Sequence, residues 1–106
     1  MKTLAEIFLA PTDLIMDFYM CKDGNQKKIV EDRFSDYNLA GAVFMTQTGE
    51  DAAEEVFDLT NNPYRQSDRE ADYGNGRSVS VGDVVKVDGV AYLCAPTGWE
   101  CLGALA

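Results

Sequence analysis

The dipeptide Asp88-Gly89 lies between two short apolar runs, residues 84–87 and 90–94, and constrains this chain more than any other feature. A two-residue Asp-Gly loop suits the positive φ angles that carry the right-handed twist from one antiparallel strand to the next. The pair predicts a hairpin. Pro96-Thr97-Gly98 turns the chain again before residues 99–102, so the C-terminal part reads as a three-stranded antiparallel meander. Gly82-Asp83 reads as the tight bend that opens it, with the Asp83 carboxylate bonding its own turn amides.

Upstream lies the clearest helical pattern in the chain. Thr48 stands as N-cap, Asp51 occupies the capping-box position, and Ala53, Val56, Phe57 and Thr60 recur at i, i+3, i+4 and i+7. Asn61-Asn62-Pro63 stops this helix, which spans about residues 48–61. Its outer positions are Glu50, Asp51, Glu54, Glu55 and Asp58, without one basic residue among them. Residues 61–77 that follow are almost wholly polar and read as a long loop. Before the helix, residues 39–45 carry no charge, which predicts a strand buried on both faces or at the centre of a sheet.

The first third of the chain is less regular. Thr3 with Glu6 three residues on matches a capping box, so residues 4–9 read as a short helix that Pro11 ends. Residues 14–21 alternate loosely around Met16, Phe18 and Met20, and Lys22-Asp23-Gly24-Asn25 makes a turn into residues 26–34, which fits a hairpin. A helix over residues 13–20 competes, because Leu14, Ile15, Phe18 and Tyr19 also share a helical face. The expected whole is one α+β domain over residues 1–106: an antiparallel sheet of four to six strands, the main helix packed on it, and a short N-terminal helix.

Charge narrows the function. The 106 residues hold 18 Asp and Glu against 9 Lys and Arg, a formal net charge of −9, and no histidine. Such a chain repels a phosphate backbone, so direct nucleic-acid binding is not expected, although it can bind what nucleic acid binds. Without imidazole there is no near-neutral general base and no partner for a Ser or Cys nucleophile, which leaves Ser78 and Ser80 unactivated. Asp68-Arg69-Glu70-Ala71-Asp72 does not extend into a calcium loop. No catalytic residue, cofactor or metal is assigned. Glu6 breaks the apolar N-terminal stretch, no run approaches the roughly 20 residues of a membrane span, and Cys21, Cys94 and Cys101 lack metal or disulfide spacing. The expected setting is the cytoplasm, with no membrane partner and all three thiols buried or half-buried.

The meander carries a resemblance. Residues 76–85, Gly-Arg-Ser-Val-Ser-Val-Gly-Asp-Val-Val, are followed by Asp88-Gly89, Ala91-Tyr92 and Gly98-Trp99-Glu100; Tyr37-Asn38-Leu39, Glu54-Glu55-Val56-Phe57 and Asn62-Pro63 precede them in order. This arrangement over about residues 37–102 resembles the YodL-like domain family. The resemblance implies a small α+β domain carried by phages, plasmids or other mobile elements, without enzymatic activity, in a setting where small acidic proteins counter host defences.

Two surfaces are candidates for partner binding. The first is acidic: Glu50, Glu54 and Asp58 at i, i+4 and i+8 rise by about 6 Å per step along one helix face, close to the spacing of every second phosphate on one DNA strand. With Asp51, Glu55, Asp68, Glu70 and Asp72 they would meet a host protein's basic nucleic-acid-binding surface, as an anti-CRISPR or antirestriction inhibitor does. A merely solvated face, with acids favoured at a helix N-terminus, is the competing reading. The second surface is the 61–77 loop with the meander edge, where Tyr64, Tyr73, Arg65 and Arg69 would anchor a regulatory or scaffolding contact.

Overall fold

A computed structural model describes residues 2–14, 18, 26–73, 78–95 and 98–104, apart from the side chains of residues 70–72. Its centre is a five-stranded sheet: β1 (Thr3–Leu9), β2 (Asn38–Met45), β3 (Val84–Val87), β4 (Val90–Ala95) and β5 (Gly98–Gly103). The spatial order is β2-β1-β3-β4-β5, every neighbouring pair is antiparallel, and the last three strands form the expected meander. Asp88 and Gly89 take φ of 50° and 85°, as the Asp-Gly signal requires.

The first correction concerns residues 4–9, which form a strand and not a helix. Ala5 and Ile7 are fully buried while Leu4 and Glu6 point to the other face, a period of two that competes with the capping-box match. An isolated six-residue helix would close few hydrogen bonds for the residues it orders. As a strand, β1 is bonded on both sides, to β2 and to β3, and lies inside the sheet.

The second correction concerns residues 26–34. They do not return as a hairpin strand; Gln26–Arg33 is a helix, α1, followed by a 3₁₀ turn at Phe34–Asp36. Only Gln26 and Val30 of α1 are buried, so its apolar stripe is too narrow to announce itself by periodicity. Of the competing N-terminal readings, residues 15–17 and 19–25 lie outside the described residues.

The main helix, α2, runs over Gly49–Asn61 and buries Ala52, Ala53, Val56, Leu59 and Thr60. Ala52, Ala53, Val56 and Leu59 meet Ala5, Ile7, Val43, Met45, Val85 and Val87 on one face of the sheet, while Thr60 Oγ1 accepts from the Val79 amide. Thr48 is the N-cap by position, but its side chain makes no capping bond. Glu55 acts in place of Asp51: its carboxylate accepts from the Thr46 and Gln47 amides at 3.0 and 3.1 Å, fixing the link from β2 to α2. On the opposite face Val30 packs with Leu14, Phe18, Tyr37, Val84 and Leu93. Because adjacent residues such as Val84 and Val85 serve opposite clusters, the two cores share one sheet.

A third correction is the location of the uncharged segment. β2 is an edge strand: Val43 and Met45 are buried under α2, while Leu39 and Phe44 are 53% and 63% exposed. The centre is taken by the four-residue β3, which admits Lys86 because its ammonium lies over the Phe8 and Phe34 rings at 5.7 and 5.4 Å. The expected 61–77 loop is also more ordered than its polarity implied. Asn62 accepts from the Tyr64 amide and Pro63 starts a 3₁₀ turn, Pro63–Arg65, that runs into helix α3, Gln66–Asp72. Residues 74–77 of that segment, with the Gly74-Asn75-Gly76 signal and Arg77, lie outside the described residues. No helix among the described residues is long and apolar enough to cross a membrane.

Candidate interaction surface

The sequence of α2 dictates its outer face. With residues 52, 53, 56, 59 and 60 turned to the sheet, a 3.6-residue repeat places Glu50, Glu54 and Asp58 along one exposed flank and Asp51 with Glu55 along the other. Glu50, Asp51, Glu54 and Asp58 are exposed, whereas Glu55 is half-buried at the β2–α2 link. These five acids share α2, with Asp68, Glu70 and Asp72 on α3, and the α2 acids do different things.

Glu54 is held from the meander. The Trp99 indole Nε1 donates to the Glu54 carboxylate at 2.7 Å, and the indole meets the Phe57 ring edge-on with centroids 6.4 Å apart. A shallow cleft lined by Glu54, Phe57, Cys94, Ala95, Gly98 and Trp99 opens beside this contact. Burial pushes the Cys94 thiol up to about 12, and the Asp83 and Glu54 carboxylates add to the effect, so Cys94 lines the cleft as an unreactive thiol. Cys101 is exposed, contrary to the expectation for all three cysteines, and Cys21 lies outside the described residues.

Asp58 is partly neutralised. Arg65 reaches it at 3.2 Å and Asp68 at 3.4 Å, while Asn62 donates to its other oxygen at 3.1 Å. The Asp58 hydrogen bond, foremost, raises the Arg65 pKa, with Asp68 adding to it. One guanidinium between two carboxylates leaves this end of the helix negative but less so than the sequence count implies. Glu50 and Asp51 enter no ion pair with any described residue. Glu50 stands near the Tyr92 hydroxyl, whose pKa is raised by burial first and then by Cys101 and Glu50.

The second set of expected contacts separates. Tyr64 is 96% exposed, but Tyr73 is buried, its ring 3.1 Å from where a Cβ would stand at Gly41, so Tyr73 is a packing residue and not a surface anchor. Arg69 donates to the Thr60 carbonyl at 3.1 Å and to Ser78 Oγ at 3.2 Å, tying α3 to the approach of β3. Glu70 and Asp72 fall on α3, and their side chains lie outside the described residues. Trp99 as an organiser of the acidic face was not legible in sequence: Glu54 is 45 residues away, and no local pattern connects them.

Among the described residues no group of three or more His, Cys, Asp or Glu side chains is placed to hold a metal ion. Asp83, fully buried, has its oxygens directed at the Ala10 and Ser80 amides at 2.7 and 2.8 Å and serves the bend, as its sequence position suggested. No family model, curated protein or solved structure matches the chain.

Proposed function

We propose that this is a small acidic interaction protein of a mobile element that inhibits a bacterial host defence factor, of anti-CRISPR or antirestriction type, without catalysis. It acts in the host cytoplasm by occupying a basic surface that otherwise receives nucleic acid. The observation that carries this reading is the exposed line Glu50, Glu54 and Asp58 on a helix anchored by its opposite face, with Glu54 fixed in place by Trp99. Asp51 and Asp68 widen the negative surface. Glu54, held by Trp99, loses little side-chain freedom on meeting Lys and Arg, and the long-range field of the carboxylates speeds the encounter.

The test is capture from a bacterial lysate on the immobilised protein, with Glu50→Lys/Asp51→Lys as comparison, since these two acids make no ion pair with a described residue. The expected catch is a nucleic-acid-binding protein that elutes as salt rises and is lost with the variant. Equal capture by both forms contradicts the reading.

A second reading is favoured by one observation, the 96% exposure of Tyr64 at the start of the 63–65 turn. In that account the protein is a regulatory or scaffolding module that binds a host or phage protein beside Tyr64. Binding that survives high salt and fails with Tyr64→Ala distinguishes it.

A further inference from the structure

We propose that the cleft between α2 and the β4–β5 end of the meander receives the guanidinium of one arginine side chain of the partner protein, an inference that rests on the reading of α2 as a partner-binding helix. Glu54 and Phe57 reach the cleft from one turn of α2, and Trp99 reaches it from β5. The Phe57 and Trp99 rings stand at 85° to one another and make two walls of a corner. The Glu54 carboxylate closes a third side, held by its 2.7 Å bond from the indole to Oε2. Among the described residues Glu54 makes no other hydrogen bond and no ion pair, so Oε1 is left to accept from a ligand.

Charge and shape select the occupant. An aromatic face attracts a cation through its quadrupole, tryptophan most strongly, and the carboxylate beside the rings adds a full charge of the same preference. No Lys or Arg lines the cleft, and Arg65 on this flank is paired with Asp58 and Asp68. Cys94 stays a neutral thiol, which leaves Glu54 as the one ionised group in the wall. An anion is repelled there, and a neutral apolar group would strip water from Glu54 without pairing it. A guanidinium meets both demands at once: its weakly hydrated plane stacks on a ring while its N–H fork reaches a carboxylate, whereas an ammonium is a strongly hydrated point charge. Size agrees. The cleft measures about 170 Å³, below the roughly 300–1,000 Å³ of sites that enclose a whole small molecule, so it takes the end of one side chain. Its rim is open at Gly98, where a Cβ would meet no described atom within 4 Å apart from its chain neighbours.

Trp99 is the only tryptophan, so its indole Nε1–H gives one nuclear magnetic resonance signal at the site. The full chain is titrated with Nα-acetyl-arginine amide at about 0.15 M salt. The expected result is a saturable shift of that signal, half complete at about 10 mM or below. The amides of Nα-acetyl-citrulline, which keeps the shape without the charge, and of Nα-acetyl-lysine are expected to bind at least about tenfold and threefold more weakly. Glu54→Gln keeps an oxygen for the indole and loses only the charge; it is expected to weaken the arginine amide at least about fivefold, with far-ultraviolet circular dichroism unchanged. A shift that does not saturate, a citrulline or lysine amide that binds as tightly, or a folded Glu54→Gln chain that binds like wild type overturns the proposal. The two readings fail separately. A chain that captures a basic factor from lysate but shows no saturation with the arginine amide sinks the cleft alone, and saturation in a chain that captures nothing upholds the cleft as a guanidinium site and contradicts only the reading of α2.

Discussion

The Trp99 indole donates to the Glu54 carboxylate at 2.7 Å, joining the β4–β5 end of the meander to the exposed flank of the main helix. The contact makes the only tryptophan of the chain a reporter on the acidic face. Trp99→Phe keeps an aromatic ring against Phe57 but removes the donor. At an exposed, charge-assisted bond the expected cost is about 1 kcal/mol, read as a lower urea midpoint with unchanged slope.

Glu55 and Glu50 are both helix acids, and their removal is expected to differ. Glu55→Ala leaves the Thr46 and Gln47 amides without their carboxylate and should cost about 1–2 kcal/mol, as loss of a helix cap does. Glu50→Ala is expected to stay within about 0.5 kcal/mol of wild type. Thermal unfolding of the two variants in parallel checks both.

The bend before β3 is expected to be the most sensitive part of the fold. Gly82 has φ of 96°, and a Cβ there would stand 2.5 Å from the Phe18 ring. Gly82→Ala combines backbone strain with overpacking, for about 3 kcal/mol. Asp83→Ala removes the acceptor for the buried Ala10 amide and the Ser80 amide, with a similar loss. Denaturant unfolding is the measurement.

These contrasts mark what the sequence makes legible. The meander follows from Asp88-Gly89, and α2 follows from its apolar stripe, because both signals are local and agree with the tertiary arrangement. The six-residue run of β1 matches both a cap pattern and a period of two, and only its pairing with strands far along the chain decides between them. Lack of charge in β2 predicts burial at a sheet centre, and an uncharged edge has the same composition. The acidic residues were identifiable as a group, but the sorting into Glu54 bonded to Trp99, Asp58 paired with Arg65 and Glu55 bonded to backbone amides depends on contacts no spacing rule contains.

Cys94 gives the fold a pH dependence at the alkaline end. Its pKa in the folded chain is pushed up to about 12 from an ordinary 9.0, so the unfolded chain loses the proton first. The stabilising contribution is complete below about pH 9 and declines as pH rises from there toward 12. Cys94→Ala should flatten this part of the stability–pH curve. At pH 8 iodoacetamide should label the exposed Cys101 and spare Cys94, as peptide mass spectrometry would show.

Arg65 separates electrostatics of binding from those of folding. Its pairs with Asp58 and Asp68 are at the surface, so Arg65→Ala should change stability by less than about 1 kcal/mol. The same substitution unmasks two carboxylates. Affinity for a basic partner, measured by calorimetry at low salt, is therefore expected to rise.

The central claim is that the acidic flank of α2 takes the place of nucleic acid on a host protein. The most direct measurement is displacement of a fluorescent DNA duplex from the captured factor, followed by anisotropy as this protein is added. The account predicts that wild type displaces the duplex and that Glu50→Lys/Glu54→Lys/Asp58→Lys, folded by circular dichroism, does not. Wild-type protein that binds the factor while the duplex stays bound, or a variant that displaces it equally well, contradicts the account.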